Sequence, residues 1–300
     1  MIVSAYDPVT KTFAVPSLAM HMGTSLKIVS NELTHLILKE SRGFQCRSPA
    51  EAEECLKHVK KFRKLVESCW TIELSSLANK HLQEKRWQKP LLVPLVSDVK
   101  MFRDQSLKIA NDCISLFQHG KANIETYKLL ANCSLALLIV FNRRRIGDVQ
   151  FLKISDYNHE NRTNFVDFKS ALSDTERMLT KKYKRVVNGG KGSRPVVILV
   201  PEIIQNFISA ILQHRKTYVS PDNEYLFAIP GSTITWGKGD VALQQLAKKI
   251  NLKQPQTLSS NKLRKHIATV MQLLNLSQDE VKQFSSFMGH TQKTHEEFYE

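Results

Sequence analysis

No Cys-x-x-Cys pair and no histidine cluster at zinc-binding spacing occurs in the 300 residues, and the five cysteines, Cys46, Cys55, Cys69, Cys113 and Cys133, are an odd set. A structural zinc module and a disulfide framework are both excluded. The thiols read as reduced and mostly buried. Long apolar runs are missing too. The longest, residues 135–141, falls far short of the ~20 residues a membrane-crossing helix needs, and the opening MIVSAYDPVT lacks the basic-then-apolar pattern of a secretory signal. The expectation is a soluble, intracellular chain without a membrane partner. Internal repeats and low-complexity tracts are absent as well. Acidic residues are scarce: 28 Asp plus Glu face 43 Lys plus Arg, for a net charge of +15. Such an excess favours polyanions, nucleic acid before an anionic membrane surface.

What the chain does contain suits a globular protein of two domains, with 42% hydrophobic and 24% charged residues. Up to about residue 90 the pattern is helical. A segment opened by Pro16 sets Leu26, Ile28, Val29, Leu33, Leu36 and Ile37 mostly at three- and four-residue steps. Ser48-Pro49 reads as an N-cap followed by a first-turn proline. Residues 50–66 then carry Cys55, Val59, Phe62 and Val66 on one face, with Lys57, Lys60, Lys61, Arg63 and Lys64 around the rest. Pro90 and Pro94 in WQKPLLVP end any helix and mark a boundary between residues 1–90, a helical domain, and residues 91–300.

In the second domain, helices are predicted over 97–119 and 123–142, split at His119-Gly120, and the run at 135–141 implies burial on all sides. Two β-rich stretches, 183–187 and 195–200, flank Asn188-Gly-Gly-Lys-Gly-Ser193, a turn whose glycines can take positive φ. This is a hairpin with Lys191 at its tip. Further helices are predicted over 201–215, 240–250, 260–274, 277–288 and from 293, with a short strand or extended piece at 225–228. Helices with one small antiparallel sheet, rather than alternating βαβ units, give a mainly α (α+β) fold class.

Four segments of this domain hold residues for which a bland role is awkward. Arg143, Arg144 and Arg145 end the apolar helix; they can mark where it surfaces, with Asp148 neutralising one of them. Gly190-Lys191-Gly192-Ser193 looks like a phosphate loop, but Arg185 stands where a Walker A glycine is required and Gly192 where a Ser or Thr is required. Nucleotide binding through it is excluded, leaving a solvated turn as the alternative to a functional lysine. In Leu258-Ser-Ser-Asn-Lys-Leu-Arg-Lys-His266, Leu263, Ile267 and Val270 form a buried stripe and Arg264 adjoins it, so its guanidinium emerges at the rim of the core. Met288-Gly-His290 is a helix stop, followed by Tyr299; such a His and such a Tyr can simply cap and pack.

Taken together, these segments resemble the catalytic domain of the tyrosine recombinase (phage integrase) family. That family carries an Arg in an R-[IVL]-x-[ED]-[LV] segment, a Lys on a β-hairpin, an H-x-L-R box, an L-G-H box, and a Tyr nine residues after that His. Arg145-Ile-Gly-Asp-Val149, Lys191, Asn261-Lys-Leu-Arg264, Met288-Gly-His290 and Tyr299 match in order and spacing, with Asn261 in place of the box histidine. The resemblance covers roughly residues 95–300, and residues 1–90 look like the family's core-binding domain, a helical DNA clamp, in incomplete form. More narrowly, LRKHIAT and FNRRR look like a diverged animal branch of the family, descended from a mobile element.

The resemblance implies double-stranded DNA as partner, self-association on DNA, and recombination or integration through a 3′-phosphotyrosyl intermediate. Neither metal nor cofactor takes part. Tyr299 would attack the phosphate; Arg145 and Arg264 would hold its non-bridging oxygens through paired hydrogen bonds; Lys191 would protonate the leaving 5′ oxygen; His290 would add a hydrogen bond. Asp148 would orient Arg145, while Arg143, Arg144, Lys181, Lys182, Lys262 and Lys265 would grip the DNA backbone. Asn261 can hold a phosphate oxygen but cannot accept the proton of Tyr299; His266 or His295 could substitute. Glu300 directly after the nucleophile points to a fragment or a degenerate copy. The alternatives are therefore an inactive DNA-binding relative and a type IB topoisomerase-like enzyme. The basic stretch 181–185 suggests a nuclear location.

Overall fold

The computed structural model describes residues 6–88, 92–159, 182–189, 195–272 and 277–287. The chain divides into two compact units, Met1–Leu91 and Leu92–Glu300. In the first, a two-residue strand pair, β1 (Tyr6–Asp7) and β2 (Thr12–Phe13), precedes the helices α1 (Pro16–Leu38) and α2 (Pro49–Leu65). Pro16 and Pro49 both sit in first turns, where a missing N–H costs nothing. Ser48 caps α2, its side chain accepting from the Glu51 amide. The helical path does not stop at 66 as the sequence pattern predicts: it runs on as a π-helix, Val66–Ser75, and then as α3 (Ser76–Gln88).

The face of α1 that is buried also differs from the pattern. Pro16, Ala19, Gly23, Ser30 and Ile37 are covered, whereas Ile28 and Val29 are exposed. The reason is Trp70 of the π-helix. Its indole N–H donates to the Ala19 carbonyl at 3.0 Å, and its ring lies against Gly23 so closely that a Cβ there would collide with it. Small residues rather than large ones therefore define the contact. On α2 the expected stripe is covered only in part, with Val66 just beyond it buried and Phe62 exposed.

The second unit is built around α5 (Ile124–Asn142). A reciprocal capping box starts it: the Thr126 amide donates to Asn123 Oδ1 at 2.9 Å and the Asn123 amide to Thr126 Oγ1 at 3.3 Å. The helix is long and apolar enough to cross a bilayer, yet 67% of its apolar window is buried inside the unit, as befits a core helix. Packed on it are α4 (Val96–Gln118), α8 (Glu202–Tyr218) and α9 (Gly239–Lys249). Two one-turn helices, α6 (Ile146–Gln150) and α7 (Ile154–Asn158), lead away from its C-terminus.

The hairpin is present as β3 (Tyr183–Gly189) paired antiparallel with β4 (Pro195–Pro201), in a register from Tyr183 opposite Pro201 to Gly189 opposite Pro195. Alternate positions Val196, Ile198 and Val200 face the core. A loop closed by a 3₁₀ turn, Pro255–Thr257, then enters α10 (Ser260–Gln272), and α11 (Gln278–Phe287) follows. The buried carboxylate of Asp98, near the start of α4, accepts the Lys253 amide at 3.2 Å and the Gln254 amide at 2.8 Å, fixing that loop. Mainly α with small antiparallel sheets is thus the observed class. Residues 225–228 form isolated bridges rather than a strand.

Candidate functional site

The C-terminus of α5 makes a sharp exit. Arg143 takes the left-handed conformation at φ 52, its amide closing on the Ile139 carbonyl, and the chain turns into α6 with Arg145 as N-cap. This arginine turn faces the first turns of α10. Ser260 Oγ donates to the Arg144 carbonyl at 2.8 Å, and Arg143 Nη1 donates to the Leu263 carbonyl at 3.3 Å. Residues 116 to 120 positions apart in sequence are thereby held in register.

Asp148, only 3% exposed, lies among three guanidiniums: Arg145, Arg144 and Arg264, in decreasing order of effect, all act on its carboxylate. Burial outweighs their combined attraction and pushes its pKa above the ordinary carboxylate value. Its Oδ2 receives no hydrogen bond among the described residues. Arg144 is equally buried, and desolvation brings it down to about 10, with Asp148 opposing that shift and Arg264 and Arg145 adding to it. Arg264 is buried at 7% exposed, deeper than the rim position the sequence pattern suggests, and Arg145 is half-buried.

Two asparagines tie the sheet to this turn. Asn142, buried at the last position of α5, donates from Nδ2 to the Leu138 and Leu199 carbonyls at 3.0 and 2.9 Å and accepts the Leu199 amide at 2.9 Å. Asn188 on β3 donates to the Asp148 carbonyl at 3.0 Å. Neither residue stands out in the sequence, because an Asn at a helix end or in a Gly-rich turn is ordinary there. Their value comes from what lies across the fold.

The other expected positions divide. Asn261 is exposed on the first turn of α10, and Lys265 and Lys182 are exposed too. Lys262 is half-buried, its ammonium on the Gln256 carbonyl at 3.1 Å. The fold engages both Arg143 and Arg144: the first is half-buried and donates from Nη1 to α10, and the second is buried beside Asp148. His266 is engaged as well, with Nδ1 3.2 Å from Arg143 Nη1. Lys181, Lys191, His290, His295 and Tyr299 lie outside the described residues. No group of three or more metal-ligating side chains occurs among the described residues.

No family model matches the sequence. Nor does any curated protein. Among solved structures, the chain shows partial likeness to XerH site-specific recombinase bound to palindromic difH substrate in a post-cleavage complex, at 14% identity and TM-score 0.48, over 96% of this chain and 74% of that one. The pre-cleavage complex of the same recombinase with difH gives 14% identity and TM-score 0.46, over 94% and 73%. XerA recombinase gives 13% and 0.41, over 90% and 94%.

Proposed function

We propose that this protein binds double-stranded DNA and holds one backbone phosphate at the arginine turn, in the manner of a tyrosine recombinase. One observation carries the reading. Arg145 and Arg264, distant in sequence, both act electrostatically on the same buried carboxylate, as does Arg144. A phosphodiester is the anion such a cluster suits, since planar guanidiniums offer paired donors to its two non-bridging oxygens. Asp148 orients and partly offsets the arginines. The net charge of +15 supplies long-range attraction.

In this reading Tyr299 attacks the phosphorus in line and displaces the 5′ oxygen. A 3′-phosphotyrosyl bond then conserves the energy of the cleaved bond. Lys191 delivers the proton to the leaving oxygen, and His290 adds a hydrogen bond to the phosphate. The test is a nicked or suicide duplex. Wild-type protein is expected to form a denaturant-resistant covalent adduct that Tyr299→Phe does not; absence of any adduct with wild type removes the enzymatic step.

Two observations favour a second reading, a DNA-binding relative with weak or absent turnover. Asn261 offers an amide where a base is needed, and Nδ1 of His266 accepts from Arg143. Loss of general-base assistance alone costs about 10²–10⁴-fold. Relaxation of supercoiled plasmid without recombination would instead indicate topoisomerase-like behaviour.

A further inference from the structure

We propose that Arg143 is a positioning residue: it clamps the second turn of α10 onto the arginine turn and so fixes where Arg264 stands relative to Arg145. The inference rests on the reading above, in which those two arginines hold one phosphate. Its basis is a conformation and two contacts. Arg143 occupies the left-handed position that ends α5, at φ 52, where glycine is the usual residue because a Cβ is disfavoured. An arginine there gives up backbone ease, and its side chain supplies the compensation.

From that cap, Nη1 donates to the Leu263 carbonyl at 3.3 Å and to His266 Nδ1 at 3.2 Å. Leu263 and His266 stand on either side of Arg264 in the chain, so the two acceptors bracket it. The Ser260 hydroxyl on the Arg144 carbonyl adds a tie one turn earlier. Donation to Nδ1 requires a neutral ring whose proton is on Nε2. Burial first, and then the Arg143 charge, lower the pKa of His266 and favour that neutral form. Arg143 is the charged group acting on the ring among the described residues; Lys262 is turned to the Gln256 carbonyl and Lys265 is exposed. Arg143 thus contributes to phosphate binding through α10, without touching the phosphate.

Arg143→Gly tests this, since glycine suits the left-handed position and keeps the backbone in place. Melting is expected close to wild type. Affinity for a short duplex is expected to fall on the order of tenfold, the weight of one charge-assisted hydrogen bond from a displaced Arg264. The slope of log affinity against log salt stays unchanged, because Arg264 keeps its charge beside the phosphate and loses only the geometry of its hydrogen bond. By NMR titration, His266 is expected below its ordinary pKa in wild type and nearer to it in Arg143→Gly. Wild-type affinity weakens further as acid protonates the ring, and the variant lacks this extra loss.

A salt slope reduced by about one phosphate contact would mean that Arg143 meets DNA itself, and would overturn the proposal. So would a His266 that titrates ordinarily in wild type, a measurement that stands even if the variant does not fold. If wild type binds no DNA at low salt while the His266 shift is intact, the nucleic-acid reading fails and the positioning role with it; the clasp remains.

Discussion

Asp148 shows how much one side chain can decide. Its carboxylate is surrounded by positive charge, yet burial dominates and raises its pKa. The folded state therefore binds its proton more tightly than the unfolded chain does. The resulting contribution to stability is full below the unfolded value of about 3.9 and is lost as pH rises through the raised folded value. Asp148→Asn removes that titration. The difference in unfolding free energy between wild type and variant, from denaturant melts over a pH series, is expected to slope above pH ~4 and to level off beyond the folded pKa. A flat difference would mean that the arginines cancel the desolvation. Asp148 was legible in the sequence as a partner of Arg145, because R-I-G-D-V is a local pattern. Its burial was not, because α6 packs against α9 and β4, which are far away in the chain.

Among the elements, the β3–β4 hairpin depends most visibly on a distant clamp. Its strands were predictable from PVVILV and the glycine turn, and their alternation fixes which face is inward. Its attachment is the work of Asn142, which serves both the amide and the carbonyl of Leu199. Asn142→Ala leaves both without that partner and is expected to cost about 2 kcal/mol. A lower denaturant midpoint and faster hydrogen exchange at the Leu199 amide would report it; an unchanged midpoint would mean the strand is held by its pairing alone. Helices opened by Pro16 and Pro49 were equally readable, since such start signals act within a turn of the chain. The π-helix at Val66–Ser75 had no such signal. It arises where Trp70 must reach Ala19 and Gly23, a demand made by α1.

Over the whole molecule, charge is the property the sequence states most directly. If phosphate contacts carry binding, log affinity falls linearly with log salt, with a slope of about −0.9 per contact. Duplex affinity measured by anisotropy between 50 and 200 mM salt, roughly the range where such losses reach 10³-fold or more, is expected to drop steeply. A salt-insensitive constant would remove DNA as the partner. The same scale explains α5: its length and hydropathy pass for a membrane span, and its cover of α4, α8 and α9 makes it the core helix that the apolar run at 135–141 implies.

The sequence by itself determined the helical class, the hairpin, the excess of positive charge and the order of Arg145, Lys191, Arg264, His290 and Tyr299, because each depends on neighbours in the chain or on simple counting. Tertiary structure alone decided which of three consecutive arginines does what. Arg143 turns to α10, Arg144 is buried beside Asp148, and Arg145 stays at the rim. Consecutive residues at a left-handed helix exit point in different directions, and whether one meets nearby Asp148 or α10, more than a hundred residues away, is settled only when the chain folds back on itself.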